Sequence, residues 1–325
     1  MEILIDVLLI VVGVTVVLWG ADRLTEGSVA MASRLGVSQM VIGLTVVALG
    51  TSMPEFCVSF VSALKGTADM AVGNVVGSNV FNAMLIVGVA AMVAPMCVMK
   101  QTVRKDLVFA VAASVIMGAL VFDKEITRAD AVILSSLFIL YMWITLKGAK
   151  TSSGGAEVPD GSADTSAGGN TEMPVWKGVM WIVLGLAALV GGSNVFVGSA
   201  SSLAMAFHVP DAVIGLTIVA GGTSMPELAT SVVAARKGNS GIAIGNVIGS
   251  NVFNILFVIG ITGVVCPMTV SGITPLDLGV MIGSMLLLWL FAYTKLTIAR
   301  WEGAVLTALF VAYMVWLVSQ TGAFA

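Results

Sequence analysis

Apolar runs of about 20 residues recur along the whole chain, separated by short polar stretches, and each run is long enough to cross roughly 30 Å of hydrocarbon. Their spacing predicts ten helices, over 3–33, 38–63, 69–94, 104–122, 129–147, 175–205, 210–235, 240–266, 275–293 and 302–319. The runs are continuous and lack the ten-residue alternation of membrane strands, which excludes a β-barrel. The expectation is therefore an all-α membrane protein with ten transmembrane helices, each closing its backbone hydrogen bonds internally as lipid requires. The opening MEILIDVLLI has no basic segment before its apolar run, and that run leads directly into Asp22-Arg23. It reads as a retained first span, not a cleaved signal.

Between the fifth and sixth runs lies KTSSGGAEVPDGSADTSAGGNTEMP, residues 150–174. Gly, Ser, Asp and Thr dominate it, so it cannot bury a core and is expected to be a flexible tether on the cytoplasmic side. Residues 148–174 thus divide a first five-helix unit, 1–147, from a second, 175–325.

Composition agrees with the pattern and narrows it. Hydrophobic residues make up 58% of the 325 positions and charged residues 10%, against roughly a quarter charged in ordinary globular domains. A soluble enzyme is excluded, and no basic patch interleaved with aromatics suggests nucleic acid. The few charges are informative about orientation. With the N-terminus outside, Arg23, Arg34, Lys100, Arg104, Lys105, Lys147, Lys150, Lys177, Arg236, Lys237, Lys295 and Arg300 fall inside. Only Lys65, Lys124 and Arg128 fall outside. The expectation is a multi-pass plasma-membrane protein with both termini outside. Cys57, Cys97 and Cys266 lie in or beside apolar segments and read as small buried thiols. Asp22, Arg23 and Glu26 read as a local charge cluster without an ion role, and the 19 methionines as flexible packing.

The chain repeats itself. VIGLTVVALGTSMPE at 41–55 returns as VIGLTIVAGGTSMPE at 213–227, 172 residues later. The same displacement relates GSNVFN at 77–82 to GSNVFN at 249–254, Gly73-Asn74 to Gly245-Asn246, and Pro95 to Pro267. Residues 41–82 match 213–254 at 28 of 42 positions without a gap, which only duplication explains. Five spans per copy is an odd number, so the copies are expected to enter the bilayer from opposite sides. That architecture places a substrate site at the midplane between repeats.

Glu55 and Glu227 fall deep within the second and seventh predicted helices, with no Lys or Arg beside them in the span interior. A carboxylate at the bilayer centre costs at least ~2.5–3.5 kcal/mol and marks ion or proton paths. The missing counter-charge points to a bound cation or proton. Both glutamates end the hexapeptide GTSMPE, in which Pro54 and Pro226 each remove a backbone donor and Gly50 and Gly222 loosen the same turn. A broken helix is expected there, with carbonyls turned into a cavity. Thr51, Ser52, Thr223 and Ser224 add hydroxyl oxygens, and Ser78, Asn79, Asn82, Ser250, Asn251 and Asn254 add more from the third and eighth helices. Ser78 and Asn82 share one helical face, as do Ser250 and Asn254. Two carboxylates with neutral oxygens suit a hard cation such as Ca²⁺ or Na⁺. Soft metals call for thiolate or imidazole, and the single histidine, His208, lies near a helix end. Proline, serine and asparagine also serve as packing devices in membrane helices; here they recur as a block around both glutamates. The glycine pattern of GNVVGSN lies in a span without a preceding strand, which argues against a phosphate cradle.

GTSMPE followed by GNVVGSNVFN, and again GTSMPE followed by GNVIGSNVFN, resemble the two α-repeats of the calcium/cation antiporter superfamily, and most closely the prokaryotic sodium/calcium exchangers. The resemblance spans the whole ten-helix chain. It implies a core of helices two, three, seven and eight, against which long, tilted helices one and six slide. It also implies a Ca²⁺ site formed by Glu55, Glu227 and the carbonyls of Thr51 and Thr223. An outer Na⁺ set would comprise the Ala220 carbonyl, Thr223, Ser224, Glu227 and Ser78. The inner set would comprise the Ala48 carbonyl, Thr51, Ser52, Glu55 and Ser250, with Asn82 and Asn254 lining the middle. Some relatives carry aspartate at the position of Asn254, so one titratable group is missing here. Proton-coupled relatives resemble a GNAVE-type helix instead, which favours sodium. The function implied is a Ca²⁺/Na⁺ antiporter without a cofactor and with no protein partner evident. A Ca²⁺/H⁺ or K⁺-assisted exchanger on the same scaffold, and a cation channel, remain as alternatives. If the linker is only a tether, deleting 152–170 should leave Ca²⁺ flux into proteoliposomes near the parent level; loss of flux with insertion intact would give that segment a regulatory role.

Overall fold

In the computed structural model, residues 2–151, 173–206 and 220–320 are described. Most of the linker (152–172), the start of the seventh predicted helix (210–219) and His208 lie outside them. The chain is an all-α membrane protein. Its helical elements are α1 (Glu2–Leu35), α2 (39–64), α3 (Ala68–Val93), α4 (Asp106–Leu120), α5 (Arg128–Thr151), α6 (Val175–Ala206), α7 (220–236), α8 (Ser240–Val265), α9 (Pro275–Lys295) and α10 (Arg300–Gln320). Seven of these are each long and apolar enough to cross a bilayer, and the bent pair of α2 makes an eighth. The fourth expected helix, 104–122, is instead a short turn, Lys100–Arg104, followed by α4, with the break at Lys105.

Burial separates core from periphery. In α3 and α8, 72% and 83% of the most apolar window is buried, against 17% in α1 and 28% in α6. The outer helices turn apolar side chains such as Leu4, Leu8 and Ile139 outward, as lipid contact allows. The cysteines depart from expectation. Cys57 and Cys97 are exposed and Cys266 is half-buried, all three with free thiols. Lipid solvates a thiol about as well as a core does, so apolar sequence context alone does not bury one.

Glycines set how closely the helices approach. On α1, Gly13, Gly20 and Gly27 recur every seven residues and meet Gly192, Gly185 and Gly178 of α6 in antiparallel order. A Cβ on Gly20 would stand 2.8 Å from the Gly185 carbonyl oxygen, and one on Gly185 2.7 Å from the Leu24 nitrogen. Similarly, Gly245 and Gly249 of α8 lie against α2, where a Cβ would meet the carbonyl oxygens of Met40 and Leu44, each at 2.8 Å. Such contacts are the main source of helix cohesion where both helices are surrounded by apolar solvent.

The two sequence copies are interlaced. α5, the last helix before the linker, packs on α8, with Gly260 against Ser135 and Gly263 against Ala131. α10 packs correspondingly on α3, with Gly303 against Gly88. Two short bridges repeat the exchange. β1 (Met96–Cys97) pairs antiparallel with β4 (Thr297–Ile298), and β2 (Glu125–Ile126) with β3 (Met268–Thr269). The displacement of 172 carries β1 onto β3 and β2 onto β4, so each strand pairs across the copies.

The α1–α6 contact yields a prediction. Gly185→Ala must push backbone apart and should cost about 1–3 kcal/mol, read as a lower unfolding temperature of the detergent-solubilised protein. Gly279→Ala on α9, with no atom near its Cβ position, serves as the control and should match or exceed the parent.

Candidate ion-binding site

The GTSMPE segments break their helices as proline demands. In α2 the limb Gln39–Thr51 meets the limb Met53–Leu64 at 45°, with Ser52 at φ −84°, ψ 5°. In α7 the limb Ala220–Thr223 meets Met225–Arg236 at Ser224, φ −90°, ψ 7°. Pro54 and Pro226 open the second limbs, where a missing N–H costs nothing. Ala48 and Ala220 begin the last turn before each break. The Ala48 carbonyl still accepts the Ser52 N–H at 3.0 Å, whereas Pro54 has no N–H to offer the carbonyl of Gly50.

Both glutamates fall in the first turn of a second limb. The helix dipole there favours negative charge, a compensation beyond the negative C-terminal end expected from sequence. Glu55 and Glu227 are fully buried, at 0% exposure. Their shortest hydrogen bonds cross between the copies. Ser52 Oγ donates to Glu227 Oε1 at 3.0 Å, and Ser224 Oγ donates to Glu55 Oε1 at 2.9 Å. Ser250 Oγ reaches Glu227 Oε1 at 3.5 Å, and Ser224 Oγ lies 3.3 Å from Ser78 Oγ. Each carboxylate therefore joins hydroxyls of the set that the resemblance assigns to the other. Ser52 and Ser224 stand at the two helix breaks, and each break approaches the other copy's glutamate.

One layer farther out, Asn246 Nδ2 donates to the Glu227 carbonyl (3.3 Å) and to Ser231 Oγ (3.0 Å), while Asn246 Oδ1 accepts Thr51 Oγ1–H at 3.1 Å. Asn74 Nδ2 repeats the pattern on the Glu55 carbonyl (3.2 Å) and Ser59 Oγ (3.0 Å). At the crossing of α3 and α8, Asn79 and Asn251 donate to each other's carbonyl oxygens, both at 3.4 Å. Sequence reading assigned no role to Asn74 or Asn246, although Asn74, Ser78 and Asn82 recur every four residues on one face. Beyond this layer α3 and α8 widen into π-helical turns, Phe81–Ile86 and Phe253–Ile259.

On the glutamates and on the asparagines of α3 and α8, the buried side-chain atoms left without a hydrogen bond are all oxygens. Glu55 Oε2, Glu227 Oε2, Asn82 Oδ1, Asn251 Oδ1 and Asn254 Oδ1 are buried acceptors with no donor. Thr51, Ser52, Ser78, Ser224, Ser250, Asn82 and Asn254 are all buried around them, and Thr223 is half-buried. Among the described residues no ion pair engages either glutamate, and the charge pairs join Arg23 to Asp22 and Glu26, and Lys237 to Asp22, on α1 and α7. Buried carboxylate, hydroxyl and amide oxygens, with no ion pair to a glutamate among the described residues, suit a hard metal ion.

The sequence profile described as Sodium/calcium exchanger protein matches residues 5–147 and 177–319. The chain belongs to this family. A putative antiporter, CaxA, of Alkalimonas amylolytica is 35% identical over 98% of this chain and 100% of its own length. The sodium/calcium exchanger MaX1 of Methanosarcina acetivorans is 34% identical over 96% and 98%. A solved structure of the sodium-calcium exchanger NCX_Mj aligns at a TM-score of 0.81 and 30% identity, covering 96% of this chain and 98% of that one. Membership in a transporter family, with apolar helices throughout, makes the chain a multi-pass membrane transporter.

The donor inventory orders two substitutions. Losing a hydrogen bond to a charged group costs about 1.5–3 kcal/mol. Ser224→Ala should destabilise the ion-free protein by about that much, and Ser52→Ala by less, because Glu227 keeps Ser250. Thermal unfolding in chelator checks this, and the reverse order would deny the Ser250 contact any weight.

Proposed function

We propose that the chain is a secondary active antiporter that exchanges Ca²⁺ for Na⁺ across the plasma membrane by alternating access. One observation carries the reading: two fully buried carboxylates, each with one oxygen lacking a hydrogen bond, are joined by serine hydroxyls of the opposite copy, and among the described residues no ion pair engages them. Their charge of −2 is cancelled by one Ca²⁺ and matched or exceeded by several Na⁺, so the two ions compete for one cavity. Glu55, Glu227 and the Thr51 and Thr223 carbonyls form the Ca²⁺ site. Ser52, Ser224, Ser78, Ser250, Asn82, Asn254 and the Ala48 and Ala220 carbonyls complete the Na⁺ positions. The names of MaX1 and NCX_Mj as sodium/calcium exchangers support the choice of ions. Coupling to H⁺ or assistance by K⁺ is the competing reading on the same scaffold.

The proposed architecture is ten transmembrane helices in two inverted five-helix repeats, 1–147 and 175–325, with the N- and C-termini outside. Support for inversion comes from the bridges. β1 and β2 flank α4 at opposite ends, and β3, the repeat mate of β1, pairs with β2. The Lys/Arg distribution supports the orientation.

Glu55→Gln and Glu227→Gln each remove half the cavity charge. Removing one partner of a buried charge pair costs about 3–5 kcal/mol, or more than a hundredfold in affinity. Uptake of ⁴⁵Ca²⁺ into proteoliposomes with outward Na⁺, K⁺ or H⁺ gradients imposed singly should respond to Na⁺ alone and vanish in both variants. Uptake driven equally by H⁺ would overturn the ion assignment, and near-parental uptake by either variant the site.

A further inference from the structure

Hydrogen-bond polarity at the α3–α8 crossing is forced. The Asn251 carbonyl can only accept, so the end of the Asn79 amide facing it, at 3.4 Å, is Nδ2. Asn79 therefore presents Oδ1 to its other neighbour, the Asn254 side chain, at 3.3 Å. Only Nδ2 of Asn254 can donate to that oxygen. The Asn254 amide is thereby held with Oδ1 turned away, buried at 0% exposure and with no donor. Asn254 lies one turn beyond Ser250, whose hydroxyl touches Glu227. A backbone carbonyl on α8 thus dictates, through a residue of the other repeat, which end of the Asn254 amide is left without a partner.

We infer that Asn79 is a positioning residue that keeps the oxygen, and not the amino group, of Asn254 facing the transported cation. The difference matters because a free asparagine can present either end, and Nδ2 repels a cation where Oδ1 binds it. The repeat mates show the unmade form of the same device. Asn251 donates to the Asn79 carbonyl at 3.4 Å, yet Asn251 Oδ1 has no donor, and Asn82 Oδ1 is likewise unpartnered. In this conformation the relay runs on one side only, from Asn79 to Asn254. Asn79 also has Met281 Sδ at 4.0 Å, and it is fully buried.

The inference rests on the reading of Asn254 as an ion ligand, and a double-mutant cycle tests both. Half-saturating Ca²⁺ is measured for Na⁺-driven ⁴⁵Ca²⁺ flux in proteoliposomes of the parent, Asn79→Ala, Asn254→Ala and the double variant. Each single substitution should raise it about tenfold, the loss of one well-directed ligand. If Asn79 acts by orienting Asn254, the double variant should stay within about twofold of Asn254→Ala. Asn254→Asp gives a second readout: a carboxylate offers oxygen either way round, so adding Asn79→Ala there should change half-saturation by less than about twofold. A double variant that multiplies the single effects to about a hundredfold would overturn the inference and leave Asn79 as a packing residue. So would an Asn254→Ala protein with parental half-saturation; Glu227→Gln in the same vesicles then reports separately whether the proposed site survives. Thermal unfolding of each purified variant guards against misfolding, and where Asn79→Ala does not fold, Asn79→Ser, too short to reach both partners, replaces it in the cycle.

Discussion

Two carboxylates buried in an apolar interior make the demand that the rest of this structure meets. Each glutamate is placed in the first turn of a half-helix and accepts a serine hydroxyl from the opposite copy. These favourable contacts satisfy one oxygen of each carboxylate and leave the other bare. A bare carboxylate oxygen in a low-dielectric interior is costly, and a cation or a proton relieves that cost.

Bringing Glu55 and Glu227 together from 172 residues apart requires unusually close helices. The broken limbs cannot draw on a hydrophobic effect against lipid, so backbone contact and amide hydrogen bonds provide the cohesion. Gly245 and Gly249 press α8 onto α2 until a side chain would strike carbonyl oxygens. The asparagines of α3 and α8 then tie the crossing helices and brace the carbonyl of each glutamate. Outside this core, the glycine ladder joins α1 to α6 along their length.

The interlacing of the two copies has a mechanical consequence. α5 and α10 each brace the other copy's most buried helix, and the β bridges stitch the same exchange at both ends of α4. Neither copy can therefore be read as a separable domain, although the sequence divides cleanly at its linker.

The sequence by itself determined the membrane class, the duplication, the two glutamates and, where the structure describes them, the helix positions to within a few residues. All of these are local or self-comparing signals: run length, proline position and exact repetition need no knowledge of what touches what. The cluster of oxygens was legible too, because GTSMPE and GSNVFN concentrate it in two short blocks. Only the tertiary structure decided that Ser52 serves Glu227 and Ser224 serves Glu55, that α5 and α10 are exchanged, and that Asn246 holds Thr51. It also decided which apolar residues face lipid, so that Cys57 and Cys97 are exposed where burial was expected. In water, apolar character is evidence of burial; in a bilayer it is not, and the direction a side chain faces is set by which helices happen to be neighbours. Those pairings depend on contacts between residues far apart in the chain, for which local periodicity carries no record.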